Sequence, residues 1–123
     1  MSKRWWRDYR TPAGRRPVKE FIAELDDADA EEVLAAMKDV QKNGLVAARH
    51  LRGEIYEVRA ESARNNYRVL FATEGRRNRV LLALVVVPKK TQKTPAGTID
   101  LAERRLRDWR ARGRPRRRAP QGS

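Results

Sequence analysis

Val80 to Pro95 reads VLLALVVVPKKTQKTP. Its first eight residues are valine, leucine and alanine without a polar interruption, the pattern of a strand covered on both faces. Pro88 ends that run, and three lysines, two threonines and a glutamine come before Pro95. A buried strand that opens at once into such a loop reads in one of two ways. It is a solvated connection, or it is a built site for a polyanion.

Upstream, Ile55 to Arg59 (IYEVR) alternates and Tyr67 to Phe71 (YRVLF) is rich in β-formers, with polar links at 62–66 and 74–78. Three such runs joined by short links predict an antiparallel meander with Val80–Val87 as its central strand. Downstream, Thr94 and Pro95 suit an N-cap and a first helical turn, and Ile99, Ala102, Leu106 and Trp109 give a third helix one packing face. In the first half, Trp5 to Tyr9 predicts a short aromatic strand, and Pro17 opens a helix with Val18, Phe21, Ile22 and Leu25 on one side. Asp29, with Glu32 three residues on, predicts the cap of a second helix whose apolar stripe is Val33, Leu34, Met37 and Val40, ended at Asn43-Gly44. The order β-α-α-β-β-β-α predicts a small α+β domain, helices packed on an antiparallel sheet, over residues 1–112. From Gly113 the sequence GRPRRRAPQGS has no apolar residue able to offset the cost of ordering, which predicts a disordered basic tail over 113–123.

A chain of 123 residues has room for one modest core, burying about 65% of its unfolded surface. Cysteine is absent and His50 is the single histidine, so neither a disulfide framework nor a thiolate or histidine metal site is expected, and no cofactor is implied. No apolar run approaches the ~20 residues of a membrane span, and MSKRWWRDYR lacks the apolar core of a signal peptide; the expectation is a cytoplasmic protein without membrane partners. The formal charge is +13, from 29 Lys and Arg against 16 Asp and Glu, which implies attraction to phosphate backbones or acidic surfaces. Half of the acids lie between Glu20 and Asp39, whereas 104–118 carries nine arginines and one acid, Asp108.

In a meander, Arg59 and Arg68 lie on adjoining strands, and Lys89, Lys90 and Lys93 leave the end of the third. All five cations then converge on one rim of the sheet, as stabilising charge on a scissile RNA phosphate requires; the alternative is that they are simply solvated. Glu57 and Arg59 share a face, as a base beside its electrostatic partner or as an ordinary ion pair. Tyr56 and Tyr67 are packing residues or platforms for a splayed base. His50, placed before a Leu51-Arg52-Gly53 turn, is chemically an acid or base but is more simply an incidental loop residue.

The blocks Gly53 to Arg59 (GEIYEVR), Asn66 to Phe71 (NYRVLF) and Lys89 to Pro95 (KKTQKTP), with the earlier Tyr9, Gly14, Pro17-Val18, Glu20-Phe21-Ile22 and Gly44, resemble the HigB branch of the RelE/ParE toxin superfamily. The resemblance spans about residues 5–110. It implies a RelE-like domain and the toxin of a type II toxin–antitoxin system, a metal-independent endoribonuclease that cuts mRNA, on the translating ribosome in many relatives. It also implies a helix-turn-helix antitoxin, HigA-like. Carried over by position, Arg68, Lys89 and Lys90 are the catalytic cations and Arg59 contacts the substrate or supports the loop; Lys93, Tyr67 and Gln92 are the further expected RNA contacts, and Glu57, from its place beside Arg59 rather than from the resemblance, is the candidate general base. Two departures stand out: Ile55 and Glu57 occupy the strand where RelE itself presents lysines, and Val87 with Pro88 replaces a phenylalanine usual two residues before the paired lysines. A ParE-like toxin acting on DNA gyrase and a non-catalytic basic RNA-binding module are the competing readings.

Overall fold

The computed structural model describes residues 3–113. In chain order it contains β1 (Trp5–Asp8), α1 (Pro17–Ala23), α2 (Asp27–Asn43), a 3-10 turn (Gly44–Ala47), β2 (Arg49–Arg52), β3 (Ile55–Glu61), β4 (Asn66–Glu74), a second 3-10 turn (Arg76–Asn78), β5 (Val80–Pro88) and α3 (Ala96–Gly113). The strands form one sheet in the order β1-β5-β4-β3-β2. The α+β class and the meander are as expected, with two corrections. First, β1 lies parallel to β5, Trp5 opposite Val80 and Asp8 opposite Ala83, so the sheet is mixed rather than wholly antiparallel. Second, the segment read as a turn after His50 is the short strand β2, antiparallel to β3 with Arg49 opposite Glu57. Only Leu51 in it is even half-buried, so the strand carries no hydrophobic alternation to betray it. The hairpin turns at Gly53, whose φ of +55° a side chain would strain.

Helices cover both faces of the sheet. Val58, Ala60, Tyr67, Val69, Phe71, Leu81 and Ala83 pack with Val18 of α1 and Val33, Met37 and Val40 of α2. Ile55, Leu70, Ala72, Leu82 and Leu84 pack with Ala102 and Leu106 of α3. That is why β5 reads as a continuous apolar run: Leu81 to Val86 are buried without exception, alternately on one side and the other. The alternation slips once. Leu70 pairs with Val85 but Phe71 with Ala83, so Leu84 is an extra residue on β5, and its carbonyl accepts from Arg105 Nη1 at 2.7 Å. Such a bulge bends a strand and re-aims its downstream end, here the end that leads into the lysine loop.

The helix starts differ in detail from expectation. Asp26, not Asp29, caps α2, its carboxylate accepting from the Asp29 amide at 3.1 Å. Leu34, expected in the core stripe, is 52% exposed. Gly44 ends α2 at φ +81°, and a Cβ there would stand 2.7 Å from Arg4 Nη2, so both conformation and space favour glycine. In α3 the Pro95 carbonyl accepts from the Ile99 amide, while the Thr94 hydroxyl turns away from the helix. Gly113, expected to open the tail, is the last residue of α3, and residues 114–123 lie outside the described ones. No helix among the described residues is long and apolar enough to cross a membrane.

Candidate RNA-binding site

β5 runs past its core into the lysine loop without losing its partner: Tyr67 pairs with Pro88, and the Lys89 amide donates to the Asn66 carbonyl at 2.7 Å. Lys89 to Thr94 then fold over the α3 face of the sheet. A set of side chains from β3 and β4 holds them there. Arg59 and Arg68 sit directly opposite each other on these strands, a like-charge pair that would be destabilising alone. Glu57, two residues before Arg59 and therefore on the same face, supplies the compensating carboxylate. Its Oε1 accepts from Arg59 Nε at 3.1 Å, and its Oε2 lies 3.4 Å from Arg68 Nε. The Thr94 hydroxyl donates to Glu57 Oε2 at 2.5 Å.

From this base the two guanidiniums reach up to the loop backbone. Arg68 Nη2 donates to the Thr91 carbonyl, and Arg59 Nη2 to the Gln92 carbonyl at 3.2 Å. Within the loop, the Thr91 hydroxyl donates to the Lys93 carbonyl at 2.6 Å. The six-residue loop is thus fastened at Thr91, Gln92 and Thr94 by polar groups from the sheet, and its lysines are left to solvent. Lys90, Gln92 and Lys93 are exposed and Lys89 is half-buried.

Glu57, Arg59, Arg68 and the loop from Lys89 to Lys93 therefore gather in one place but at different depths. Arg59 is partly open, with 29% of its side chain exposed, whereas the Arg68 and Glu57 side chains are closed off, at 1% and 0%. Burial lowers the Arg68 pKa from the usual arginine range, Glu57 opposes that shift, and Arg59 and Arg49 add to it. Arg68 Nε makes no hydrogen bond despite its burial. The base role expected of Glu57 has no open carboxylate oxygen in this arrangement, since each oxygen already faces a donor. Arg49 is the cation that sequence reading missed. It stands on β2 opposite Glu57, and with Arg59 it lines a recess of about 350 Å³ between β3, α2 and the first 3-10 turn. Recognising β2 as a strand is the signal that finds it.

His50 and one expected residue, Tyr67, fall elsewhere. His50 lies on exposed β2, its Nε2 2.8 Å from the Gly53 carbonyl and its ring tilted against Tyr56. Tyr67, expected to meet RNA, is 5% exposed on the opposite face of the sheet, its ring edge-on to Phe21. The correction is a matter of parity: Tyr67 neighbours Arg68 in sequence and so must point the other way. Its hydroxyl donates to Asp29 Oδ2 at 2.5 Å, and Asn65 Nδ2 donates to the same oxygen at 2.9 Å.

That pair predicts a pH signature. Hydrogen bonds from Tyr67, then Ser62 and Asn65, hold the Asp29 carboxyl below the usual carboxylate range, while the bond to Asp29 and burial push Tyr67 up to about 12. Asp29 thus contributes stability that is present above its unfolded pKa and lost as pH falls through its lower folded value. Tyr67 contributes stability that is present below about pH 10 and lost as pH rises toward 12. Tyr67→Phe should lower the melting temperature by several degrees at neutral pH, and the gap from the parent should narrow at both ends. Melting curves from pH 3 to 11 check this; a constant gap would show that the pair carries none of the pH dependence.

The family model for phage-derived Gp49-like proteins matches residues 20–107, a span that takes in β2 to β5, α2 and nearly all of the lysine loop's surroundings. The chain belongs to the Gp49-like family. It is also 33% identical over 108 residues to proteins named probable endoribonuclease HigB1 from two strains of Mycobacterium tuberculosis, CDC 1551 / Oshkosh and ATCC 25618 / H37Rv. Each alignment covers 85% of this chain and 84% of the relative. Every residue of the braced loop and of the Glu57 network lies within the span matched to the Gp49-like family.

Proposed function

We propose that the chain is the toxin of a type II toxin–antitoxin pair, of the HigB branch of the RelE/ParE superfamily, and an endoribonuclease that cuts mRNA on the translating ribosome. The observation that carries this reading is the lysine loop itself: a cationic segment fastened to the sheet by Arg59, Arg68 and Thr94, with Lys90 and Lys93 presented outward. Similarity to proteins named probable endoribonuclease HigB1 supports it. In the reaction, the ribose 2′-oxygen forms a bond to the adjacent phosphorus and the bond to the 5′-oxygen breaks. The hydroxyl proton is taken up by solvent or a base, and the leaving oxygen gains one. Charge grows on the phosphoryl oxygens meanwhile, and preorganised cations stabilise it. In this reading Arg59, Lys89, Lys90 and Lys93 touch that phosphate and its neighbours. Gln92 adds a polar contact, and buried Arg68 positions the loop and adds charge from beneath. The reaction draws its nucleophile from the RNA and needs no metal. A HigA-like helix-turn-helix antitoxin is the partner that silences the protein in the cytoplasm.

Expression without an antitoxin should arrest growth, and primer extension should find cuts inside translated regions. Intact transcripts with failing DNA supercoiling would replace this reading with gyrase inhibition, and RNA binding without cleavage would reduce it to a binding module. In single-turnover assays, Lys90→Ala with Lys93→Ala should slow cleavage by about 10²- to 10³-fold with an unchanged melting temperature, since both side chains are exposed. His50→Ala should stay near the parent rate; an inactive but folded His50→Ala protein would shift the chemistry to β2.

A further inference from the structure

β2 begins only at Arg49, opposite Glu57, so from Val58 onward β3 has no strand on that side. The first 3-10 turn and α2 wall off the space this leaves, a recess of about 350 Å³. It has room for one nucleotide. Val46, Ala48 and Val58 make its apolar walls, and Asp39, Arg49, Glu57 and Arg59 are its charged groups, the Glu57 carboxylate being already taken up by Arg59, Arg68 and Thr94. Two features mark it as more than a surface dent. Val46 is 86% exposed, an apolar side chain held in water at the edge of a charged recess. Asp39 gives only Oδ1 to a neighbour, accepting from Asn43 Nδ2 at 2.5 Å, and Oδ2 has no partner among the described residues.

We propose that this recess receives one base of the RNA next to the braced loop, and that Asp39 selects a base bearing an exocyclic amine (cytosine, adenine or guanine) over uracil. The proposal rests on the endoribonuclease reading for its ligand. Apolar walls and guanidinium planes accept the faces of any base, whereas a carboxylate oxygen discriminates among edges. An amine donates to it directly. Uracil offers a single ring N–H flanked by two carbonyl oxygens, which meet the carboxylate repulsively. Arg49 and Arg59 at the same recess neutralise the flanking phosphates, which a lone Asp39 would otherwise repel.

Titrating the full chain with the 3′-monophosphates of the four nucleosides, monitored by methyl NMR, tests this without requiring cleavage. CMP, AMP and GMP should bind about tenfold more tightly than UMP, with shifts at the Val46 and Val58 methyls. Asp39→Asn should shrink that preference to about twofold while leaving the melting temperature in place, Asp39 being exposed. Equal affinity for all four, no binding by any, shifts confined to other surfaces, or a preference untouched by Asp39→Asn would each overturn the base recess. Because the readout is binding, a protein that discriminates bases but leaves transcripts intact would keep the recess and sink the nuclease reading, and the opposite pattern would do the reverse.

Discussion

Glu57→Ala should lower the free energy of unfolding by about 3–5 kcal/mol, enough to leave the variant marginal at growth temperature. Glu57 is a fully enclosed carboxylate on which Arg59, Arg68 and Thr94 converge. Two guanidiniums directly opposite each other on β3 and β4 depend on it for compensation. Removing it leaves Arg68, with 1% of its side chain exposed, as an uncompensated charge, and breaking one half of a buried pair costs far more than the pair itself contributes. Glu57→Gln should fall between: the amide keeps an acceptor for Thr94 but no charge for the arginines. The distinguishing control is Glu57→Leu combined with Arg68→Leu, which removes both charges and should recover most of the loss. Denaturant titrations of the four proteins settle the point; a Glu57→Ala chain as stable as the parent would mean that water, not Glu57, balances Arg68. The same series separates support from base catalysis. A base would lose cleavage in Glu57→Gln without losing stability, whereas a support loses stability first and retains residual cleavage in the molecules that stay folded.

How much of this is legible in the sequence depends on what sort of information each feature needs. Val80–Val87 announces a central strand because burial on both faces leaves no polar position, and Glu57 with Arg59 announces a shared face because strand parity is strict. The convergence of Arg59, Arg68 and the lysines comes from the meander alone. Depth does not. Nothing in the spacing of Arg68 says that the lysine loop folds back over it, because that depends on Thr94 reaching Glu57 across 37 residues. Thr94 reads locally as a helix cap, and that reading is reasonable until the distant carboxylate competes for its hydroxyl. Asp29 reads as a cap by the same local logic, but it is a buried acceptor for Tyr67, 38 residues away. β2 is hidden because an exposed edge strand such as RHLR has no apolar face to impose alternation, and Arg49 is hidden with it. The base recess is illegible for a further reason: it is defined by where β2 starts.

Arg68→Ala should slow cleavage by about 10²- to 10³-fold in protein that is still folded, the scale expected when preorganised charge at a transition state is lost. The route is indirect. Arg68 does not reach solvent; it donates to the Thr91 carbonyl and stands beside Glu57, so its loss frees the middle of the loop and leaves Glu57 to Arg59 and Thr94. Lys90 and Lys93 keep their charge but lose their placement, and an effect on placement falls on both KM and kcat, whereas simple destabilisation scales the amount of active protein and leaves KM unchanged. Arg68→Lys is the sharper test. It keeps a positive charge, but a single ammonium cannot stand beside Glu57 and also reach the Thr91 carbonyl as the planar fork does, so it should recover stability better than rate. Rates taken well below each variant's melting temperature, with backbone 15N relaxation at Thr91 to Lys93 as the measure of loop order, separate the contributions. Lower order parameters in that segment with raised KM and lowered kcat are the expected outcome for both variants. Parent-like cleavage by Arg68→Ala would remove the loop brace from the mechanism, and full rescue of rate by Arg68→Lys would make the charge alone, without the fork, sufficient.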